Sequence, residues 1–256
     1  MTKLSTVIIT YNEEDKIERC IRSAQVVSEE VIVLDSFSTD STVEIAESLG
    51  AIVHSQEFKG FIKQREDSIR LATHELVLAL DADEYLSPEL ELEILDVKEN
   101  MYTDAYKLNR LSSIAGHWIY NGSWHPDYII RLFKKDKITN GGESPHDKII
   151  AHKGSTVKKL RGILYHDAHD TIEERIESVK KHSQVAARTK FDKGIRSNKI
   201  KVYLKTAWKF LVEYILKMGL LDGYYGWIAA KTTAQYIYLR ENEIIELQKK
   251  EIENDK

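Results

Sequence analysis

The 256-residue chain is predicted to be an α/β protein with a mostly parallel central sheet flanked by helices and a C-terminal helical extension. Three observations carry that prediction. Short apolar runs alternate with amphipathic stretches through residues 1–100. Several of those runs break off in clusters of polar and acidic residues. From Thr171 onward the pattern is helical almost throughout. Alternation of this kind implies parallel strands joined by crossover helices.

The β-rich run at residues 4–10 opens the series, and Asn12-Glu13-Glu14-Asp15 suits the start of an amphipathic helix reaching about Val27. A second buried strand covers residues 31–34. The loop Asp35-Ser36-Phe37-Ser38-Thr39-Asp40 follows, then a helix from about Ser41 to Leu49, closed by Gly50. Residues 51–54 form a short third strand, and a helix over residues 60–72 leads to a strand ending at Asp81. After a helix near residues 88–98 come strand-like pieces around 105–111 and 128–134. Between them lies a stretch, 116–126, containing Gly, Trp and His. A loop at residues 140–147 precedes a strand pair ending at Tyr165-His166-Asp167. The expected division is a domain over residues 1–170, in two halves (1–100 and 101–170), and a helical region over 171–256.

Composition narrows the class. Hydrophobic residues make up 42% and charged residues 30%, enough apolar material for one large domain with an appended helical part. Cys20 is the only cysteine, which excludes an intrachain disulfide or a cysteine zinc cluster and fits a reducing compartment. The opening Met1–Ser5 runs straight into a strand instead of an apolar targeting segment, and no stretch reaches the roughly 20 apolar residues of a membrane span. A cytoplasmic location is expected. The net charge of −4 hides a division: residues 1–100 hold 9 Lys+Arg against 22 Asp+Glu, and the remainder 28 against 19. The basic half hints at an anionic partner. No G-x-G-x-x-G follows any strand and no P-loop occurs, so a Rossmann oxidoreductase and a P-loop NTPase are both excluded.

The chemistry gathers at three strand ends: Thr10-Tyr11-Asn12-Glu13-Glu14, Asp35 to Asp40, and Asp81-Ala82-Asp83-Glu84. In a parallel sheet such ends line one edge, where open α/β folds bind ligands. The apolar run Val77-Leu78-Ala79-Leu80 stops where three carboxylates begin. In extended chain Asp81 and Asp83 would converge on one side while Ala82 faces away. Carboxylates so close need a cation or hydrogen bonds, and Mg²⁺ or Mn²⁺ bridging to a phosphate suits hard oxygen ligands. An acid-rich turn capping the next helix is the plainer alternative. Tyr11 offers a ring for a nucleotide base, and Asp35 an acceptor for a base N–H or ribose hydroxyl. Thr10 and Glu13 belong to the same candidate nucleotide site, although Glu13 also reads as a helix-dipole carboxylate.

On these residues the chain resembles the family 2 glycosyltransferases of the GT-A fold. Val7-Ile8-Ile9-Thr10-Tyr11-Asn12-Glu13-Glu14, Val33-Leu34-Asp35-Ser36 with Thr39-Asp40, and Leu80-Asp81-Ala82-Asp83-Glu84 carry the likeness. More narrowly it is similar to bacterial lipopolysaccharide core glucosyltransferases. That likeness rests on Phe58-Lys59-Gly60-Phe61-Ile62-Lys63-Gln64, Arg131-Leu132-Phe133-Lys134, Pro145-His146-Asp147 and Gly219-Leu220-Leu221-Asp222-Gly223. Pro145-His146-Asp147 departs from the Val-His-Glu of that subgroup.

The resemblance implies an inverting transfer of a sugar, glucose or another hexose, from a UDP-sugar to a bacterial surface glycan such as lipopolysaccharide core. Residues 1–100 would then be the nucleotide-binding half and 101–170 the acceptor half of a catalytic domain. The implied roles are Asp147 as general base, Asp83 as metal ligand, and Asp81 near the ribose or a metal-bound water. His166 completes the metal shell or is a structural histidine. Lys63 and Arg65 sit at a helix start where either could meet phosphate, although a solvated helix face suits Arg65 better, and Arg131 touches the diphosphate or pairs with an acid. Trp118 and Trp124 read as packing or as a sugar-stacking wall. The expected partners are a UDP-sugar and a saccharide or glycolipid acceptor, with no nucleic acid. Two other readings are a non-catalytic nucleotide-sugar-binding protein and a sugar-nucleotide nucleotidyltransferase. The latter needs a Gly-rich, Arg-containing loop that Tyr11-Asn12-Glu13-Glu14 does not resemble.

The stripe Lys201, Lys205, Lys209 and Lys217, among Tyr203, Leu204, Trp208 and Leu211, supports two readings. It is an interfacial helix contacting the inner face of the plasma membrane, or a helix packing its apolar side on the protein with its lysines in water.

Overall fold

Seven consecutive buried residues form the first strand, β1 (Leu4–Thr10), and such a run with no polar alternation belongs to a strand covered on both faces. β1 lies between two parallel neighbours, β2 (Glu30–Asp35) and β4 (Leu76–Asp81), and β3 (Ile52–Ser55) extends the sheet beyond β2. The computed structural model describes residues 2–100, 102–143 and 146–254, with the backbone alone for residues 143, 146, 147 and 254. The sheet runs β3-β2-β1-β4-β8-β6-β11-β5, where β5 is Glu84–Leu86, β6 Ala105–Ile114, β8 Asp127–Lys134 and β11 Val157–His166. β8 is antiparallel to both β4 and β6, and β5 is antiparallel to β11. The fold class is the one expected, α/β with helices flanking a central sheet, but the sheet is mixed: the four parallel strands β3-β2-β1-β4 continue into antiparallel ones.

Strand period two sorts the side chains between the faces. Leu76, Leu78 and Leu80 join Leu4 and Ile8 in one core cluster, while Val77 and Ala79 join Val7 in the other. Helix α1 (Ile17–Val27) buries Ile17, Cys20, Ile21, Ala24 and Val27, an i, i+3, i+4, i+7 stripe, into the first cluster. Ile69 of α3 (Phe61–Leu71) enters the second cluster. Helix α2 (Thr42–Ser48) connects β2 to β3, and α4 (Pro88–Asn100) adds Leu90, Ile94 and Val97 to the first cluster. β11 crosses α4 so closely that a Cβ on Gly162 would lie 2.4 Å from the Leu90 backbone nitrogen.

Two expectations are corrected. Residues 140–147, read as loop, lie largely in a two-stranded ribbon of β9 (Ile138–Glu143) and β10 (His146–Ala151). β10 and β11 are not a pair, because β11 sits between β6 and β5. Gly- and polar-rich strands lack the apolar alternation by which strands are read.

Two compact units divide the chain: Met1–Arg110 with Asp127–Gly142 and Asp147–His166, and Leu111–Pro126 with Glu143–His146 and Asp167–Lys256. The first carries the parallel sheet. The second holds a short strand, β7 (His117–Trp118), paired with the end of β6, and three helices: α5 (Ile172–Asp192), α6 (Lys199–Leu211) and α7 (Gly223–Asn254). Thr171 and Asn198 cap α5 and α6 by accepting from the Glu174 and Lys201 amides at 3.1 and 2.9 Å. Between α6 and α7 lie a π-helical turn, Val212–Leu216, and a 3₁₀ turn, Gly219–Asp222. Of the residues of α6 only Val202 is buried. Among the described residues no helix is long and apolar enough to cross a membrane.

Candidate active site

Register places the polar strand ends side by side. Thr10 pairs with Asp35 and Ile9 with Asp81, so β2, β1 and β4 present their carboxyl ends along one edge. Thr10 Oγ1 is buried there with no hydrogen-bond partner. Asp35 is buried and its carboxylate accepts from the Ser38 amide, at 3.0 Å to Oδ2, and from the Ser38 hydroxyl. A carboxylate has about four lone-pair sites, so capacity is left for a ligand. Tyr11 projects beyond them, 57% exposed.

The β1–α1 and β2–α2 loops are laced together. Asn12 takes a positive φ of 54°, its amide donates to Ser38 Oγ at 2.8 Å, and its Oδ1 accepts from the Thr39 amide at 2.8 Å. The Glu13 amide donates to Thr42 Oγ1 at 2.8 Å, and the Glu14 carboxylate accepts from the Ser41 amide at 3.0 Å. The Glu13 carboxylate faces Lys16 at 3.7 Å.

The extended geometry expected to carry both Asp81 and Asp83 stops at Asp81, and the chain turns through Ala82 and Asp83. Asp81 is compensated by arginine. Its Oδ1 accepts from Arg65 Nη2 at 2.6 Å and its Oδ2 from Arg131 Nη2 at 2.5 Å. Burial pushes the Asp81 carboxyl up, but the Arg131 and Arg65 guanidiniums outweigh it and hold the group well below the usual carboxylate range. Glu84, wholly buried, accepts from Arg131 at 2.8 Å and from Arg110 at 3.4 Å, while its other oxygen accepts from the Asp81 amide at 3.1 Å. Arg110 also binds Asp127 at 2.8 Å.

Arg65, expected on a solvated face, is 2% exposed. It lies in phase with Ser68 and Ile69 on the inward stripe of α3, and that phase was the available signal. Of the two readings for Arg131, acid pairing is the one observed. A lone charge within Ile129-Ile130-Arg131-Leu132-Phe133 signals a buried group that needs partners. Glu84 was the least visible, since nothing local separates it from its acidic neighbours.

Asp83 stands apart from this network. Its Oδ2 lies 3.3 Å from His166 Nε2, which strand pairing places opposite Glu84. Its Oδ1 is buried with no hydrogen-bond partner. An orphaned buried carboxylate oxygen is costly, and a cation would satisfy it. Burial lowers the His166 pKa, the adjacent Asp83 raises it, and the net direction is upward. The carboxylate would suit either Mg²⁺ or Mn²⁺ with further oxygen ligands, and the imidazole favours the transition ion Mn²⁺ of the two. Among the described residues, no group of three or more His, Cys, Asp or Glu forms a complete protein cage.

Lys63 lies on the same helix as Arg65 and pairs with Asp67 at 2.9 Å and Glu66 at 3.5 Å. Asp147 belongs by its backbone to β10, and its side chain is outside the described residues. In the second unit Trp124 joins a core cluster with Ile114, Ile119 and Ile228, under the Arg175 guanidinium at 4.7 Å, which favours its packing reading. That unit also contains a cavity of about 560 Å³ lined by Ile172, Ile176, Phe210, Ile228 and Tyr238, with no carboxylate in its wall.

Residues 5–156 match the model of the family described as Glycosyl transferase family 2. An uncharacterized glycosyltransferase of Rickettsia prowazekii is 28% identical over 253 residues, spanning 94% of this chain and 86% of that protein. The SPbeta prophage-derived glycosyltransferase SunS of Bacillus subtilis is 37% identical over 177 residues, 57% of this chain and 41% of that protein. Among solved structures, S. aureus TarS 1-349 in complex with UDP-GlcNAc is 16% identical with a TM-score of 0.49, covering 94% of this chain and 91% of that one. Glucosyl-3-phosphoglycerate synthase from Mycobacterium tuberculosis, in complex with Mn²⁺, UDP and glucosyl-3-phosphoglycerate, is 26% identical over 44% of each chain with a TM-score of 0.36.

Proposed function

This chain belongs to glycosyl transferase family 2, with a GT-A fold and the activity of a nucleotide-sugar glycosyltransferase, and on that premise we propose an inverting, metal-dependent transfer from a UDP-sugar. The sugar is glucose or another hexose, and the acceptor a bacterial surface saccharide or glycolipid such as lipopolysaccharide core. The narrower acceptor rests on the likeness of Phe58-Lys59-Gly60-Phe61-Ile62-Lys63-Gln64 and Arg131-Leu132-Phe133-Lys134 to that subgroup. The observation that carries the reading is Asp83: a buried carboxylate oxygen without a partner, beside His166, at the carboxyl edge of the sheet.

In this reading Tyr11, Thr10 and Asp35 receive the nucleoside, with Thr10 Oγ1 gaining the partner it lacks. Glu13 helps to hold the loop around them. Asp81, fixed by Arg65 and Arg131, faces the ribose or bound water, and Lys63 meets phosphate. Asp83 and His166 hold Mg²⁺ or Mn²⁺, whose positive charge, when bound, favours a departing diphosphate. Asp147 takes the proton of the acceptor hydroxyl as its oxygen attacks the anomeric carbon from the face opposite the diphosphate. The new C–O bond forms, the bond to phosphate breaks, and UDP leaves with the electron pair. Alignment of donor and acceptor removes much of the entropic barrier.

Incubation with UDP-hexoses, Mn²⁺ and candidate glycan acceptors tests the proposal. Stoichiometric UDP and glycosylated acceptor are expected, and transfer only from a non-UDP donor would overturn the choice of nucleotide.

A further inference from the structure

We propose that the surface made by α6, the π-helical and 3₁₀ turns and the start of α7 docks in the headgroup region of an anionic lipid bilayer. Large apolar side chains stand in water there: Ile200 is 72% exposed, Leu204 66%, Trp208 62%, Leu216 59%, Leu221 62% and Tyr224 61%. They follow one another on consecutive elements and form one stretch of chain, larger in apolar content than scattered surface residues account for. α6 has little core of its own, since Val202 is its only buried residue.

Charge identifies the partner. From Lys199 to Lys231 the chain carries six lysines and two acids. Both acids are occupied within the protein. Glu213, 1% exposed, accepts from the Ser123 amide and hydroxyl, each at 2.6 Å, and pairs with Lys209. Asp222 accepts from the Asn121 amide and side chain, each at 2.9 Å. Lys205 and Lys209 are neutralised by Glu241 and Glu213 at 2.8 and 2.6 Å. Against the one remaining acid, Asp222, stand the exposed Lys199, Lys201 and Lys217 and also Lys231, which sits over the Trp227 ring at 4.7 Å, so the outward charge is basic. A second copy of this face would set lysine against lysine, whereas anionic headgroups complement it. Trp and Tyr at the border of an apolar face suit the headgroup level, where one end of the ring is wet and the other dry. No described helix can span a bilayer, so the attachment lies in the interface plane.

Nothing in this inference uses Asp83 or the nucleotide edge, so it stands or falls separately from the catalytic reading. The test is flotation of the full chain with vesicles of phosphatidylcholine alone and of phosphatidylcholine with phosphatidylglycerol. Binding only to the anionic vesicles, weakened by salt, is expected. A Leu204→Ser, Trp208→Ser variant should lower the bound fraction at least about tenfold, since each removes buried apolar area at the membrane. Lys199→Gln with Lys201→Gln should weaken binding by about fivefold per lysine and flatten its salt dependence. All four side chains are exposed, and circular dichroism with thermal melting checks that both variants fold. Failure of the wild-type chain to float with either vesicle would overturn the proposal, as would binding unaffected by both variants. A dimer held through this face, detected by sedimentation and lost in the Leu204→Ser, Trp208→Ser variant, would also overturn it.

Discussion

Arg65 Nη2 donates to Asp81 Oδ1 at 2.6 Å, joining the inward face of a crossover helix to the last residue of a central strand. Arg65 Nη1 also donates to the Leu80 carbonyl at 3.2 Å, so one guanidinium fixes both the backbone and the side chain at the strand end. Removing one partner of a buried pair leaves an uncompensated charge. Arg65→Met should destabilise the protein by about 3 kcal/mol. Urea unfolding measures this, and a change below about 0.5 kcal/mol would show that Arg131 alone suffices for Asp81.

Asp83→Asn is expected to behave differently. It removes a carboxylate with an orphaned oxygen, so stability should change little, while Mn²⁺-dependent UDP binding is lost. Turnover should fall at least about a hundredfold. Calorimetry of UDP with and without Mn²⁺ separates binding from rate, and manganese-assisted binding retained in the variant would remove Asp83 from the metal site.

For Asp147→Asn, kcat should fall by about 10² to 10⁴ while the dissociation constant of the UDP-sugar is unchanged, because the base acts on the acceptor and not on the donor. Single-turnover kinetics with saturating acceptor checks this. An unaltered rate assigns the proton to another group.

Glu241 predicts an acid-sensitive step in the second unit. Burial pushes its carboxyl up, but hydrogen bonds from Lys205, Arg240 and Ser197 bring it down to about 2 from the ordinary 4.5. A depressed native pKa stabilises the fold above the unfolded value, and that contribution fades as pH falls from about 4.5 toward about 2. Acid unfolding followed by circular dichroism should steepen within this window. Glu241→Gln should flatten the profile there and lower stability at neutral pH by on the order of 2 kcal/mol.

Much of the architecture is legible in the sequence because the core strands are unbroken apolar runs and α1 carries a clean i, i+3, i+4, i+7 stripe. The acidic carboxyl edge of the sheet is legible too, since Asp35 and Asp81 each end such a run. The charge network is not. Whether Arg65 meets solvent or Asp81 depends on chain 16 residues away, and Arg131 reaches Asp81 across 50. Local acidity likewise concealed that Glu84 is an internal hub while Asp83 keeps a buried oxygen without a hydrogen-bond partner. The tail was legible in its basic stripe, but the exposure of its apolar side chains depends on how α6 meets α7, which periodicity does not specify.

The lacing of Asn12, Glu13 and Glu14 to Ser38, Thr39, Ser41 and Thr42 makes the two loops around Tyr11 and Asp35 a single clasp. A chimera that imported only one of them from a relative with another donor would bring half a set of mutual donors and acceptors. On the proposed nucleotide-binding role of this edge, donor preference would change only by exchanging both loops together, as one inherited cassette.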